Sequence, residues 1–169
     1  MKRTPIRRFG IPKSGYTFVG GKMVKPKAKK RPKSERTRLR KQLDSLFSLY
    51  IRTRDKRKGA GKCIFACGRP IEVAFHFVSR GNLGTRWDPR NAVGSCRGCN
   101  YSEAMDRREE RKAYWRGWHV ALVGEATRLD LEAKAKQITK LSDADLEGLL
   151  ADIKGRLERV CLEVPGATA

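Results

Sequence analysis

Two close cysteine pairs constrain this chain more than any other feature. Cys63 and Cys67 are separated by three residues, Cys96 and Cys99 by two, and 28 residues lie between the pairs. The N-terminus is basic but no apolar segment follows it, so an export signal is not expected, and without one a disulfide framework is disfavoured. Two tight turns that each aim a pair of thiolates at one point suit a tetrahedral Zn²⁺ instead. Gly61, Gly68 and Gly98 allow the backbone such turns need. Four thiolates close the coordination sphere, so the expected role is structural. In so small a module a metal supplies folding energy that the core does not, on the order of 10–16 kcal/mol in zinc peptides. The fifth cysteine, Cys161, falls beside the apolar stripe of the last helix and reads as a core residue.

Charge is the second constraint. The 169 residues include 39 Lys and Arg against 18 Asp and Glu, a formal net charge of +21, with 39% hydrophobic residues. A nucleic acid or another polyanion is the expected partner, and no apolar run reaches the roughly 18 residues of a membrane span. Residues 1–41 hold 16 of the basic residues and a single acid, Glu35. Residues 1–33, interrupted by Pro5, Pro12, Pro26 and Pro32, lack the periodic apolar content that offsets ordering entropy. They read as a largely disordered, basic DNA-binding arm, with Lys27, Lys29, Lys30, Arg31 and Lys33 as its phosphate contacts.

Beyond Ser34, Leu39, Leu43, Leu46, Phe47, Tyr50 and Ile51 recur at helical spacing and predict an amphipathic helix over 34–60. Its off-stripe cations, Arg36 and Arg40 among them, are expected to face phosphate. Residues 61–118 form the cysteine-bearing module. Within it Ile71, Val73, Phe75 and Phe77 alternate, predicting a strand with His76 on the opposite face. Residues from Asn100 to about Trp118 read as helical. The region 119–169 adds a shorter helix near 124–136 and a last one over 142–160, opened by a Ser142–Asp145 capping signal. The stripes at 36–54 and 142–160 fit either one monomer's core or the interface of a homodimer.

With the cysteines closed around a structural ion, catalysis would fall to polar residues between them. His76 shares its segment with Ser79, Arg80, Asn82, Arg86, Asp88, Asn91 and Asn100. In metal-assisted phosphodiester hydrolysis a neutral imidazole activates water, an amide orients the imidazole, and hard oxygen ligands hold a divalent ion. Arg80 and Arg86 are candidates to meet the phosphate. His119, beside Trp115 and Trp118, reads as a packing or surface residue, and core packing is the simpler reading of both indoles.

At these residues the chain resembles a known family. The Cys63/Cys67 pair, the stretch AFHFVSRGNLGTRWDPRN from Ala74 to Asn91, and CRGCN ending at Asn100 resemble the NinG/Rap recombination proteins of lambdoid phages. An aromatic-rich helix (Tyr114–Trp118), a glycine-started helix (Gly124–Lys136) and a final amphipathic helix (Ser142–Val160) continue the likeness over roughly residues 34–160. More broadly, the chain is similar to HNH, or ββα-metal, nucleases and to phage recombination endonuclease VII. The resemblance implies an α+β fold, a small zinc-stabilised ββα-metal module flanked by helices behind the basic arm. It implies His76 as general base, Asn91 as the residue that steadies it, and Asn100 as a ligand of a catalytic Mg²⁺ or Mn²⁺. Asp88 is the candidate second ligand, with Glu103 and Asp106 as competitors. Many HNH enzymes carry Asp directly before the base, where this chain has Phe75.

The implied activity is metal-dependent endonucleolytic cleavage of branched DNA, such as Holliday junctions and D-loops, in the cytoplasm of a bacterium carrying the phage or prophage. Two nicks on opposite strands suggest a homodimer. A non-catalytic, zinc-stabilised DNA- or RNA-binding recombination accessory protein accounts equally for the charge, but has no use for His76 and its Asn neighbours. A sequence-specific HNH nuclease would need base-edge contacts, and no added recognition domain is apparent.

Overall fold

The computed structural model describes residues 17–19, 22–24, 34–105 and 109–162. The chain divides into two compact units, 1–33 and 34–169. In the first, β1 (Thr17–Val19) pairs antiparallel with β2 (Lys22–Val24), Val19 opposite Lys22. The two residues between them in sequence are Gly20 and Gly21, the composition of a two-residue hairpin connection. Within the segment read as largely disordered, these six positions are strands, where β-prone Thr17, Phe18, Val19 and Val24 flank the glycines. Lys27, Lys29, Lys30, Arg31 and Lys33 lie outside the described residues.

The second unit is α+β. It contains α1 (Glu35–Lys58), β3 (Val73–His76), β4 (Ala92–Ser95), α2 (Arg97–Met105), α3 (Glu109–Val123), α4 (Glu125–Lys136) and α5 (Asp143–Leu162). None of these helices is long and apolar enough to cross a membrane. Helix α1 starts where the periodicity does. The Ser34 hydroxyl accepts from the Thr37 N–H as an N-cap, and Gly59 closes the other end. Its buried stripe, Leu39, Leu43, Phe47, Tyr50 and Ile51, packs against Leu146 and Ile153 of α5 and against Trp87 and Ala92. Arg36 near the start of α1 bonds Asp143 and the Leu141 carbonyl at the start of α5, while Arg57 near its end bonds the Cys161 carbonyl. The two helices therefore run parallel. The stripes considered for a homodimer cover each other within one chain.

The Ser142–Asp145 capping signal is reciprocal. The Ser142 N–H donates to the Asp145 carboxylate at 2.7 Å, and the Asp145 N–H donates back to the Ser142 hydroxyl at 3.1 Å. Cys161 is exposed, not buried as expected. It follows Val160, the last residue of the stripe, and one helical step of about 100° turns it off that face.

Strands β3 and β4 pair antiparallel, with His76 opposite Ala92. A second core cluster fills the face of β3 away from His76: Phe65, Phe75, Val93 and Trp115, together with Cys63 and Cys96. Trp115 is buried there and Trp118 packs against the cluster, as the simpler reading of the indoles had it. Helix α1 is stitched to β4 by two neighbouring residues. Arg54 donates to the Pro89 and Ala92 carbonyls, both at 2.9 Å, and the buried Asp55 carboxylate accepts from the Gly94 N–H at 2.6 Å.

Candidate metal centre and active site

The four paired cysteines converge. Their sulfurs all lie within 4.8 Å of one another, and Cys67 Sγ is 3.6 Å from Cys96 Sγ. Ligand bonds of about 2.3 Å at tetrahedral angles require sulfurs a little under 4 Å apart. The first turn is shaped by Ala66 and Gly68, both at positive φ. It is tied down by the Cys63 N–H donating to the Arg69 carbonyl at 2.8 Å and the Ile64 N–H donating to Gly94 of β4 at 3.2 Å. The second is the first turn of α2, where the Cys99 N–H donates to Cys96 Sγ at 3.3 Å. The Arg69 backbone N–H holds the Cys67 thiol down at about 6, whereas burial pushes Cys63 and Cys99 up. Arg69 reinforces the site: its guanidinium occupies the space a Cβ on Gly98 would take, and Cys96 and Cys67 are the main charges acting on it. Cys63, Cys67, Cys96 and Cys99 thus fit a structural metal such as zinc, with backbone N–H groups and a nearby cation to offset the thiolate charge.

The second centre lies on the other face of β3. His76 ends the strand, packs against Phe47 of α1, and contacts the Arg86 carbonyl through Nε2 at 3.2 Å. A carbonyl can only accept, so a neutral ring that makes this contact donates from Nε2. Burial, followed by the nearby Arg80 charge, pushes the imidazole down to about 4 against the smaller opposing pull of the Arg86 carbonyl, Asp44 and the Ala74 carbonyl. Near neutral pH the ring is a base in its neutral form. It lines an open concavity of about 850 Å³ together with Ser48, Ser79, Arg80 and Asn100.

Of the residues expected to form a site, His76, Asn100 and Arg80 therefore meet in one concavity. Asn91 acts one step back. Wholly buried, its side-chain oxygen accepts from the Val78 N–H at 2.7 Å, and its amide donates to the Val78 and Thr85 carbonyls at 3.0 Å each. It closes the loop that follows His76 and does not touch the ring. Asp88 lies elsewhere: it caps the short 3₁₀ turn Pro89–Asn91 and its carboxylate pairs with Arg90. It lines a different cavity, beside Leu149 and Asp152 of α5. The side chain of Glu103, and Asp106 entirely, lie outside the described residues.

Two of the arginines expected on phosphate are engaged within the fold. Arg36 bonds α5, and Arg86 bonds both carboxylate oxygens of Asp44, at 2.9 and 2.6 Å. Arg40 buries its Nε without a partner. Asp44 and Ser48 are the residues the sequence reading missed. Both come from α1, far from the cysteine module in sequence, and an acid among the cations of an amphipathic helix looks like part of a solvated face. Comparison with protein-family models, curated proteins and solved structures finds no match to this chain.

Proposed function

We propose that this protein is a structure-specific DNA endonuclease of the HNH-like, ββα-metal type that cleaves branched recombination intermediates by metal-dependent phosphodiester hydrolysis. The observation that carries this reading is His76: a neutral imidazole with its Nε2–H engaged by the Arg86 carbonyl, in the same concavity as Asn100 and Arg80. A neutral ring that donates from Nε2 has Nδ1 as its basic nitrogen, with the Ala74 carbonyl also acting on the ring. Arg80 is the local cation for the substrate phosphate, and Asn91 keeps the loop after His76 from shifting. The strand–strand–helix order β3–β4–α2, pinned at both ends by the cysteine cluster, supports the ββα-metal assignment. Zinc would stay structural there.

A Mg²⁺ or Mn²⁺ ion would stabilise the departing oxygen. Among the described residues the concavity offers it the Asn100 amide and the Ser48 and Ser79 hydroxyls but no carboxylate. Hard cations bound by few protein oxygens take the rest from substrate phosphate and water, so ion binding would depend on DNA. That same thin ligand set favours the second reading, a zinc-stabilised accessory protein that binds DNA or RNA without cutting.

The deciding experiment is a nicking assay on a four-way junction and a matched linear duplex, with Mg²⁺, Mn²⁺ or EDTA, for the wild type and His76→Ala. Cutting of the junction that needs the divalent ion and is lost in His76→Ala, with DNA binding and zinc content unchanged, is the expected result. Tight junction binding with no cutting under any ion would establish the accessory protein instead.

A further inference from the structure

Helix α1 carries nine Lys and Arg, and the fold engages several of them. Arg36 bonds Asp143, Arg38 bonds Glu35, Arg54 bonds Asp55, and Arg57 bonds the Cys161 carbonyl. Arg52 is different. Its Nε donates to the Ser48 carbonyl at 3.1 Å, and it has no carboxylate partner among the described residues. The nearest acids of its own helix are committed elsewhere. Asp55 is buried and bonded by Arg54 and the Gly94 N–H, while Asp44 is held by Arg86 and Trp87. The two terminal nitrogens of Arg52 therefore keep their donors open within the described structure. Unlike Arg40 Nε, they are not buried.

The anchor at Ser48 puts those donors beside the His76 concavity. Ser48 lines it, and residues four apart share one face of a helix. Long helical side chains point back toward the N-terminus, which brings the Arg52 head to the Ser48 turn. Phe47, in that same turn, packs on the His76 ring with 5.7 Å between centroids, so the turn is fixed relative to the imidazole. A guanidinium already tied to a backbone carbonyl gives up less rotamer freedom on binding than a loose one. Its remaining N–H groups form the fork that matches two oxygens of a phosphate. One turn further along this face Lys56 is exposed, again without a carboxylate partner among the described residues. The face that leads away from the concavity is thus cationic, with no competing acid.

We propose that Arg52 clamps a phosphate of the cleaved DNA strand, one or two nucleotides from the scissile bond, through its two terminal nitrogens. The inference rests on the endonuclease reading of the His76 site. Four helical residues advance about 6 Å, and one strand of duplex DNA carries a phosphate for about every 3.4 Å of axis, which sets that offset from the concavity. Arg80 then meets the scissile phosphate from the loop after β3, and Arg52 holds its neighbour from α1. Fixing the strand at two points aligns the scissile bond with the water at His76. Arg52 is in this sense a positioning residue, whose contact is made to substrate away from the reacting atoms.

The test is a double-mutant cycle between Arg52 and single phosphates. Four-way junctions with one neutral methylphosphonate, placed in turn at each phosphate flanking the nick, are bound to the full chain by anisotropy without divalent ion. In the wild type, neutralising the phosphate one or two nucleotides from the nick is expected to cost about tenfold in affinity. In Arg52→Gln the same neutralisation is expected to cost nothing, while losses at other positions persist. That variant is also expected to lower the slope of log affinity against log salt by about 0.9 and to raise KM for nicking more than it lowers kcat. Arg52→Lys keeps the charge and loses the fork. It should restore the slope but only part of the affinity, and it takes the place of Arg52→Gln should that variant not fold. Sensitivity equal to the wild type's at every phosphate in the Arg52 variants overturns the clamp, as does a wild type indifferent to all flanking phosphates. A protein that binds and nicks junctions with either of those results loses this inference alone. One that binds no DNA, or binds it and never nicks, loses the endonuclease reading and the clamp with it.

Discussion

Asp44 holds Arg86 by two bonds and the Trp87 indole N–H by a third at 3.0 Å, and the carbonyl of that same Arg86 accepts from His76. The carboxylate therefore acts on the imidazole through one intervening residue. Asp44→Ala leaves a half-buried guanidinium and an indole N–H unpaired. It is expected to lower stability by about 2 kcal/mol in urea unfolding and to reduce junction nicking through kcat with KM little changed. The pH dependence follows from the same groups. Burial, then Arg80, puts His76 at about 4 in the folded chain, below the roughly 6.5 of an unfolded histidine. Between those values the unfolded chain binds more protons, so stability falls as pH drops below about 6.5 and the loss is complete below about 4.

Burial raises the Asp44 carboxyl, but its bonds to Arg86 and Trp87 outweigh that and leave it lowered. Its stabilisation is present above the ordinary carboxylate range and is lost as pH falls through the lowered folded value. Urea midpoints should thus be flat above pH 7 and decline steadily toward pH 4, with the His76 ring resonances titrating near 4. His76 was visible in the sequence because a histidine between two cysteine pairs stands out. Asp44 was not, because only the packing of α1 against the loop after β3 makes it part of the site.

At the scale of elements, what was legible is what repeats or caps. Helices α1 and α5 carry apolar stripes with recognisable ends, and the cysteine spacing marks both turns of the metal centre. Strand β4 carries no such signal. Its four residues, Ala92 to Ser95, are all buried, so nothing alternates. Gly94 further weakens the pattern, yet it is required: a Cβ there would meet Ile71 at 2.9 Å and the Asp55 side chain at 3.1 Å. The helical reading from Asn100 to about Trp118 matches α2 and α3 over the described residues. The two core clusters also predict how metal loss spreads. Cys63 and Cys96 belong to the cluster of Phe65, Phe75, Val93 and Trp115, while α1 and α5 share the other. Removal of zinc by a thiol-competing chelator, or Cys96→Ser, is expected to expose Trp115 and shift tryptophan emission to the red. Most of the far-ultraviolet helical signal, carried by α1 and α5, should remain. A coincident loss of both signals would mean that the metal holds the whole unit.

For the whole molecule the 39 Lys and Arg overstate the cations on offer, because sequence does not separate those engaged in the fold from those facing solvent. Arg36, Arg54, Arg86 and Arg128 each bond a carboxylate within the second unit. Residues 1–33 have no acid of their own to do this, with twelve Lys and Arg and no Asp or Glu. Lys27, Lys29, Lys30, Arg31 and Lys33 should therefore dominate the salt dependence of DNA binding, and Arg36 and Arg86 should contribute little to it. Replacing those five by Gln is expected to reduce the slope of log affinity against log salt by about 0.9 for each phosphate contact removed, up to about 4.5 on duplex DNA. The loss should be uniform across sequences, since phosphate contacts carry no base information. Cleavage positions on a junction should not move, because His76, Asn100 and Arg80 belong to the other unit. Arg36→Gln should instead show up as a loss of stability, through its bonds to Asp143 and the Leu141 carbonyl, with the salt slope unaltered. A slope indifferent to the five arm substitutions but sensitive to Arg36 would reverse this division between DNA-facing and fold-holding cations.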